Sequence, residues 1–350
     1  MTAALDVPVR HPPAPPPSFT HLARLTDDTG LLEHARHAVP RREHGYCTDD
    51  VARGLVVVCR EPDPAPAVLR LAEVYLSFLT HAQDAGGAFH NRLSYDRRWT
   101  DEPALGDWWG RALWGLGTAV GRSSAPWIEQ DALVAFELGA ARRSPAPHAM
   151  AFAGLGAAEV LRRYPDHAGA SDLLAAAAAA VGWPDSDPRW SWPRPHLAYA
   201  SAAQAEVVIL AGEAHRDVAL RAAGLRMLSW LRDLQLVGDR LSVLPAAGWH
   251  RGTARPQYDQ QPIEVAALAD ACATAAAVTG DNGWQQGVRQ SIGWFLGDND
   301  TGSVMWDRAT GGGYDGLTPT GPNLNQGAES TLALISTLQH GRAGAGLRTR

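Results

Sequence analysis

The sequence predicts an all-α chain: an (α/α)6 toroid with short β-hairpins at its rim. Three observations predict it. Helical periodicity dominates, the helical segments alternate between two kinds, and the second kind recurs at a spacing of roughly fifty residues, the signature of stacked helical hairpins. The first kind is amphipathic, with apolar residues at intervals of three and four. Pro66–Ala82, Arg216–Gln235 and Asn282–Leu296 are its clearest members, and Leu22–Ala38, Ala125–Arg143 and Asp166–Val181 share the character. The second kind is rich in small residues and nearly uncharged after its first turn: Thr48–Arg60, Asp107–Val120, Pro147–Leu161, Pro195–Ala211, Pro262–Thr279 and Asn325–Gln339. A helix apolar on nearly every side is buried on every side, so these six form an inner ring and the amphipathic six an outer one. An open α-solenoid has a similar composition, and the closed ring is the preferred reading. Three outer helices run on into an aromatic end, a glycine turn and a short hairpin, as in AGGAFHNRLSYDRRW, GDRLSVLPAAGW and TGSVMWDRATGGGY.

Composition bounds the rest. The chain has 350 residues, 45% of them hydrophobic, and a net charge of −6, which excludes disorder for most of its length. Its mild acidity leaves no electrostatic footprint for nucleic acid, and no uninterrupted apolar run approaches the ~18 residues of a membrane span. Three cysteines far apart match neither a disulfide framework nor zinc-ligand spacing. No secretory signal pattern is visible. The expected location is therefore cytoplasmic, with no metal or cofactor. Residues 1–17 read as a proline-rich, poorly ordered arm and 18–343 as one domain.

In such a ring the inner-helix N-termini surround one mouth, and polar residues entering apolar helices are costly unless paired or used. Thr48, Asp49 and Asp50 open the first inner helix and Asp107 the second. His196 and Tyr199 stand near the fourth start, Gln260, Gln261 and Glu264 at the fifth, and Asn325, Gln326 and Glu329 at the sixth. Each has a plain structural reading: Thr48 as an N-cap, Asp49 and Asp50 as partners of the helix dipole, Asp49/Arg53 and Asp107/Arg111 as i,i+4 ion pairs. Acids at equivalent starts of several helices point instead to a shared site. Trp108, Trp249, Trp306 and Tyr314 would offer flat faces to sugar rings beside these acids, and Tyr46 and Asp315 would shape the mouth.

PRREHGYCTDDVAR (40–53), GDWWGRALWGLG (106–117), DQQPIEVA (259–266) and GGYDGLTPTGPNLNQGAESTL (312–332) resemble a bacterial family of six-hairpin-glycosidase-like proteins. The resemblance implies the (α/α)6 toroid and carbohydrate chemistry. Two departures stand out: Val51 replaces an asparagine after the paired aspartates, and Gly106 replaces an acidic residue before Asp107. The implied activity is a glycoside hydrolase acting by inversion on an oligosaccharide or glycoside. Asp50 and Glu329 are the leading carboxyl pair and Asp49, Asp107 and Glu264 the rivals. Arg53, Arg111, Gln261, Asn325 and Gln326, with His196 and Gln260, would bind the substrate. The alternatives are a sugar epimerase or transferase in the same fold, for which His148 and His196 are available, and a non-catalytic carbohydrate-binding partner of a glycosyltransferase. A terpene cyclase would want a further upstream aspartate before Thr48-Asp49-Asp50, and a lanthionine-cyclase-like zinc site would need Cys and His spacing that is not present.

Overall fold

A computed structural model describes residues 14–346. Among them are twelve α-helices. The inner set is α2 (Thr48–Cys59), α4 (Asp107–Arg122), α6 (Pro147–Arg163), α8 (Ala202–Ala214), α10 (Pro262–Thr279) and α12 (Ala328–Gly346). The outer set is α1 (Thr20–Leu25), α3 (Pro66–Ala82), α5 (Pro126–Ala140), α7 (Ala168–Val181), α9 (Val218–Leu234) and α11 (Trp284–Leu296). Each inner helix packs on the next, from α2 through α4, α6, α8 and α10 to α12, and α12 packs back on α2. The ring is closed, and the toroid read from the sequence is the observed fold. Each inner helix also packs on the outer helix that follows it, and α12 takes α1 from the opposite end of the chain.

The local chemistry explains the elements. Proline opens α3, α5, α6 and α10, at a position where its missing N–H is not needed and its fixed φ suits a helix. Small residues let the inner helices approach closely. A Cβ at Gly156 of α6 would lie 2.1 Å from the Leu113 carbonyl oxygen of α4, and one at Gly117 would lie 2.2 Å from the Gly156 oxygen. Helix α10 is long and apolar enough to cross a membrane by length and composition. In this fold it is an inner helix, packed between α8, α11 and α12.

Three expected elements differ. The first amphipathic segment is helical only over α1, because Asp27 Oδ1 accepts the Thr29 and Gly30 N–H groups in a turn and sends Leu31 and Leu32 into the core. The fourth inner helix starts at Ala202 and not at Pro195. Ala200 has φ +48°, outside the helical region, and His196–Leu197 pairs with Trp249–His250 as a two-stranded ribbon. The sixth starts at Ala328, because Asp315 Oδ1 accepts the Gly327 N–H (2.7 Å) and the Ser330 hydroxyl (2.6 Å) and fixes the entry point. Short antiparallel hairpins do line the rim, at 35–40, 236–241 and 316–323. The 92–93 strand instead pairs back to Tyr46–Cys47. Of the expected 1–17 arm, residues 1–13 lie outside the described residues.

Candidate active site

The first turns of the inner helices meet through their side chains. Arg53 of α2 donates to Glu329 of α12 (2.9 Å) and to Asp50 (2.7 Å), and its Nε lies 3.5 Å from Asp49 Oδ1. Arg111 of α4 brings its Nε to 3.3 Å from the same Asp49 oxygen. Tyr199, in the loop before α8, donates its hydroxyl to Asp107 of α4. The Ala200 N–H in that loop donates to Glu264 Oε1 of α10. Gln204 of α8 bonds to the ring of His148 on α6 (3.0 Å), which stacks on Tyr199 at 5.2 Å. Polar groups from all six inner helices thus surround one mouth.

The carboxyls there differ in burial and in partners. Glu264 is 3% exposed, and burial pushes it up to about 8, with Glu329 adding to the rise and the Ala200 N–H and Arg111 opposing it. Asp50 is also pushed up to about 8 by burial; Arg53 pulls against this, and Asp49, Glu329 and Glu33 reinforce it. Glu329 is paired with Arg53 while 41% of its side chain is exposed, so it meets both a cation and solvent. Burial lowers His148 and raises the Tyr199 hydroxyl, keeping both neutral at pH 7.

Below the mouth an axial cavity is lined by Arg53, Arg111 and Glu329 at its top, Val56, Ile263 and Leu332 along its wall, and Glu206, Asp270 and Ser336 at its base. It leaves about 40 Å³ of water-accessible space, enough for a few waters and too little for a sugar ring. The guanidinium carbon of Arg111 lies over Phe152, 3.6 Å from the ring centroid. Its Nε and one terminal nitrogen are buried without a hydrogen-bond partner, as is Asp49 Oδ1. The Nε and that Asp49 oxygen face each other across their 3.3 Å ion pair, which leaves the terminal nitrogen as a buried donor with no partner.

The structure brings Asp49, Asp50, Arg53, Asp107, Arg111, Glu264 and Glu329 together. It places several other expected residues in structural roles. Tyr46 is buried with its hydroxyl on Asp27 (2.7 Å). Gln260 is fully buried, donating to Asp300 (2.7 Å) and accepting from the Trp294 indole (3.0 Å). Gln326 accepts from Thr310 and donates to Asp307, and Asn325 Oδ1 accepts the His37 N–H. Asp315 anchors α12 as above, and His196 stands exposed in its ribbon, 5.6 Å from the ring of His250. Gln261 directly precedes α10 and is half-buried. Trp108 donates to the Phe89 carbonyl (2.7 Å) and Trp249 to that of Thr253 (3.1 Å). Trp306 and Tyr314 are half-buried on the 306–314 hairpin.

Sequence reasoning missed Glu33, whose carboxylate lies within 4.8 Å of Asp50 and Cys47 and pairs with Arg92. It also missed Phe152 as a cavity wall. The signal was an aromatic ring on an otherwise small-residue helix.

No protein-family model matches the chain, and no curated protein does. Solved structures do match in fold. A sugar epimerase from a ruminal bacterium superposes with a TM-score of 0.70 at 11% identity, over 93% of this chain and 95% of that one. Cellobiose 2-epimerase from Bacillus thermoamylovorans gives 0.69 at 12%, over 92% and 95%. A cellulase from C. cellulolyticum, in complex with cellobiose, gives 0.62 at 8%, over 91% and 88%. The likeness at these identities is one of fold.

Proposed function

We propose that this chain is a carbohydrate-active enzyme and that glycoside hydrolysis is its reaction. One observation carries the reading: the mouth holds a carboxyl kept protonated at neutral pH by burial, Glu264, and a second, part-exposed carboxyl paired with Arg53, Glu329. That split is what acid and base assistance to glycosidic cleavage requires. The fold shared with a cellulase and with sugar epimerases supports the substrate class.

Glu264 protonates the glycosidic oxygen as the bond from C1 breaks, and Glu329 takes a proton from the water that attacks C1. The products are a free sugar and an alcohol, and solvent exchange restores both carboxyl groups. The small cavity under Glu329 supplies room for that water, which favours inversion. Asp50 is the weaker acid candidate. Its carboxyl is bonded to Arg53 at 2.7 Å, the same guanidinium that pairs with Glu329, whereas Glu264 has no arginine bonded to it and is free of that cation's pull toward ionisation. Asp49 and Arg111 are proposed to bind hydroxyls. An epimerase that moves its proton between two histidines is less well supported, because His148 and His196 do not meet.

The test is turnover of a panel of oligosaccharides and aryl glycosides by wild type, Glu264→Gln and Glu329→Gln. Both variants are expected to lose about 10²–10⁴-fold in kcat on oligosaccharides. Aryl glycosides with good leaving groups should restore much of the rate in Glu264→Gln alone, since they need no acid. The first-formed product should have the inverted anomeric configuration by NMR. Hydrolysis unchanged in both variants would sink the assignment. Sugar binding by wild type with no turnover of any glycan would favour the binding-module reading.

A further inference from the structure

The PRREH stretch that precedes the paired aspartates has no part in the chemistry above, yet the fold builds a second pocket from it. The turn Arg42–His44 and the hairpin 35–40 wrap against the loop before α12. The pocket between them is lined by His34, Arg36, Arg41 and His44 with Asp315 and Asn325, and it has about 300 Å³ of water-accessible space. It opens beside the mouth: the Glu33 carbonyl accepts the Ala328 N–H at the start of α12 (3.0 Å), and Asn325 lies four residues before Glu329.

Its charges are one-sided. Two guanidinium groups and two imidazoles line it with one carboxylate, Asp315, whose Oδ1 is already taken by the Gly327 N–H and the Ser330 hydroxyl; Glu33, outside the lining, lies 3.7 Å from the His34 ring but is paired with Arg92. Glu43 is the other acid near Arg41, at 3.9 Å, and its side chain is 61% exposed, so water screens it. His34 and His44 stand edge to face with centroids 4.7 Å apart. The Asn325 side-chain oxygen is occupied by the His37 N–H, leaving its amide donors to the pocket. Cations and donors converging on one pocket are matched by an anion with several acceptor oxygens.

We propose that this rim pocket binds a phosphate group, either as a monoester on a sugar or as free inorganic phosphate. A uronate carboxylate, with two oxygens and one charge, would leave half of the donors unmet. The pocket lies apart from Glu264 and Glu329, so it stands or falls independently of the hydrolytic reading.

Calorimetric titration of the whole protein at neutral pH and low salt tests it, with glucose 6-phosphate, inorganic phosphate and glucuronate as probes. The phosphate probes should bind saturably and shift the His34 and His44 ring resonances by NMR. The double variant R36A/R41A should bind at least tenfold more weakly while melting like wild type, and R36K/R41K should recover part of the loss. Glu264→Gln should bind phosphate as wild type does, whatever becomes of its hydrolysis. Tighter binding of the ester than of inorganic phosphate would make a phosphorylated sugar the source, and equal binding would make it the free anion. No saturable binding, binding unaffected in R36A/R41A, or glucuronate binding as tightly as the ester would overturn the proposal.

Discussion

Glu264 stands among Ile263, Ala266 and Ala267 with the Ala200 N–H on one oxygen, and the cost of charging it there is measurable without any substrate. Its folded pKa of about 8 lies above the ordinary glutamate value of ~4.3. Between those values the folded chain holds a proton that the unfolded chain has lost, so stability falls as pH rises from ~4.3 to 8. Glu264→Gln removes that penalty. Its thermal midpoint should decline less between pH 5 and pH 8 than that of wild type, and equal declines would mean that Glu264 is already ionised in the fold. Arg53 makes the opposite case. It touches Asp49, Asp50 and Glu329, so Arg53→Met leaves three carboxyls without their shared cation and should cost about 3–5 kcal/mol in urea unfolding. A loss under 1 kcal/mol would show that the cluster is not held by charge. The sequence shows such residues unevenly. Asp49, Asp50, Glu264 and Glu329 are legible because a charge opening an apolar helix is conspicuous. Gln260 and Gln326 precede their helices in the same way, but a neutral amide can turn into the interior, and only the partners Asp300 and Asp307, 40 and 19 residues away, reveal that it has.

Helix packing decides how well the mouth is held in place, and α4 against α6 is the tightest instance. The Gly156 Cα faces the Leu113 carbonyl so closely that a methyl group has no space. Gly156→Ala gains up to ~1 kcal/mol of helix propensity but forces apart two helices that carry Asp107, Arg111 and His148. The expected balance is a net destabilisation of about 1–3 kcal/mol, read from denaturant midpoints. A stabilised variant would mean that α4 and α6 sit farther apart than described. At this scale the inner and outer rings are legible because burial on every side removes charge from a helix, a property of composition alone. Helix ends are less so. The start of α8 depends on the φ of Ala200 and on a ribbon to Trp249, and the end of α1 on the turn at Asp27. None of these is a matter of periodicity, so a helical pattern continues through residues that the tertiary contacts take elsewhere.

A closed ring has a seam, and here it lies where α1 covers α12 and α12 meets α2. Helix α1 has six residues, too few to be stable alone, so it persists through what it touches. Leu22 and Leu25 are fully buried, His21 bonds to the Gln326 carbonyl (2.8 Å), and Thr26 bonds to the Tyr75 hydroxyl (2.7 Å). The same α12 carries Glu329 at its first turn, and so the seam and the candidate base share one element. Leu25→Ala should cost about 2–5 kcal/mol, but the position of the effect matters more than its size. If the ring is one cooperative body, amide exchange should accelerate everywhere in proportion to the lost stability. If the seam is its weakest joint, exchange should rise first in α12 and in the start of α2, and glycoside turnover should fall while α6 and α8, on the far side, stay protected. The second outcome is expected, because α1 is the shortest outer helix, with six residues, while α4 and α6 are interlocked through backbone contacts at glycine. Leu138→Ala, on the exposed face of α5, supplies the comparison. It should leave both exchange and turnover unchanged, and an equal response to the two substitutions would remove the case for a seam.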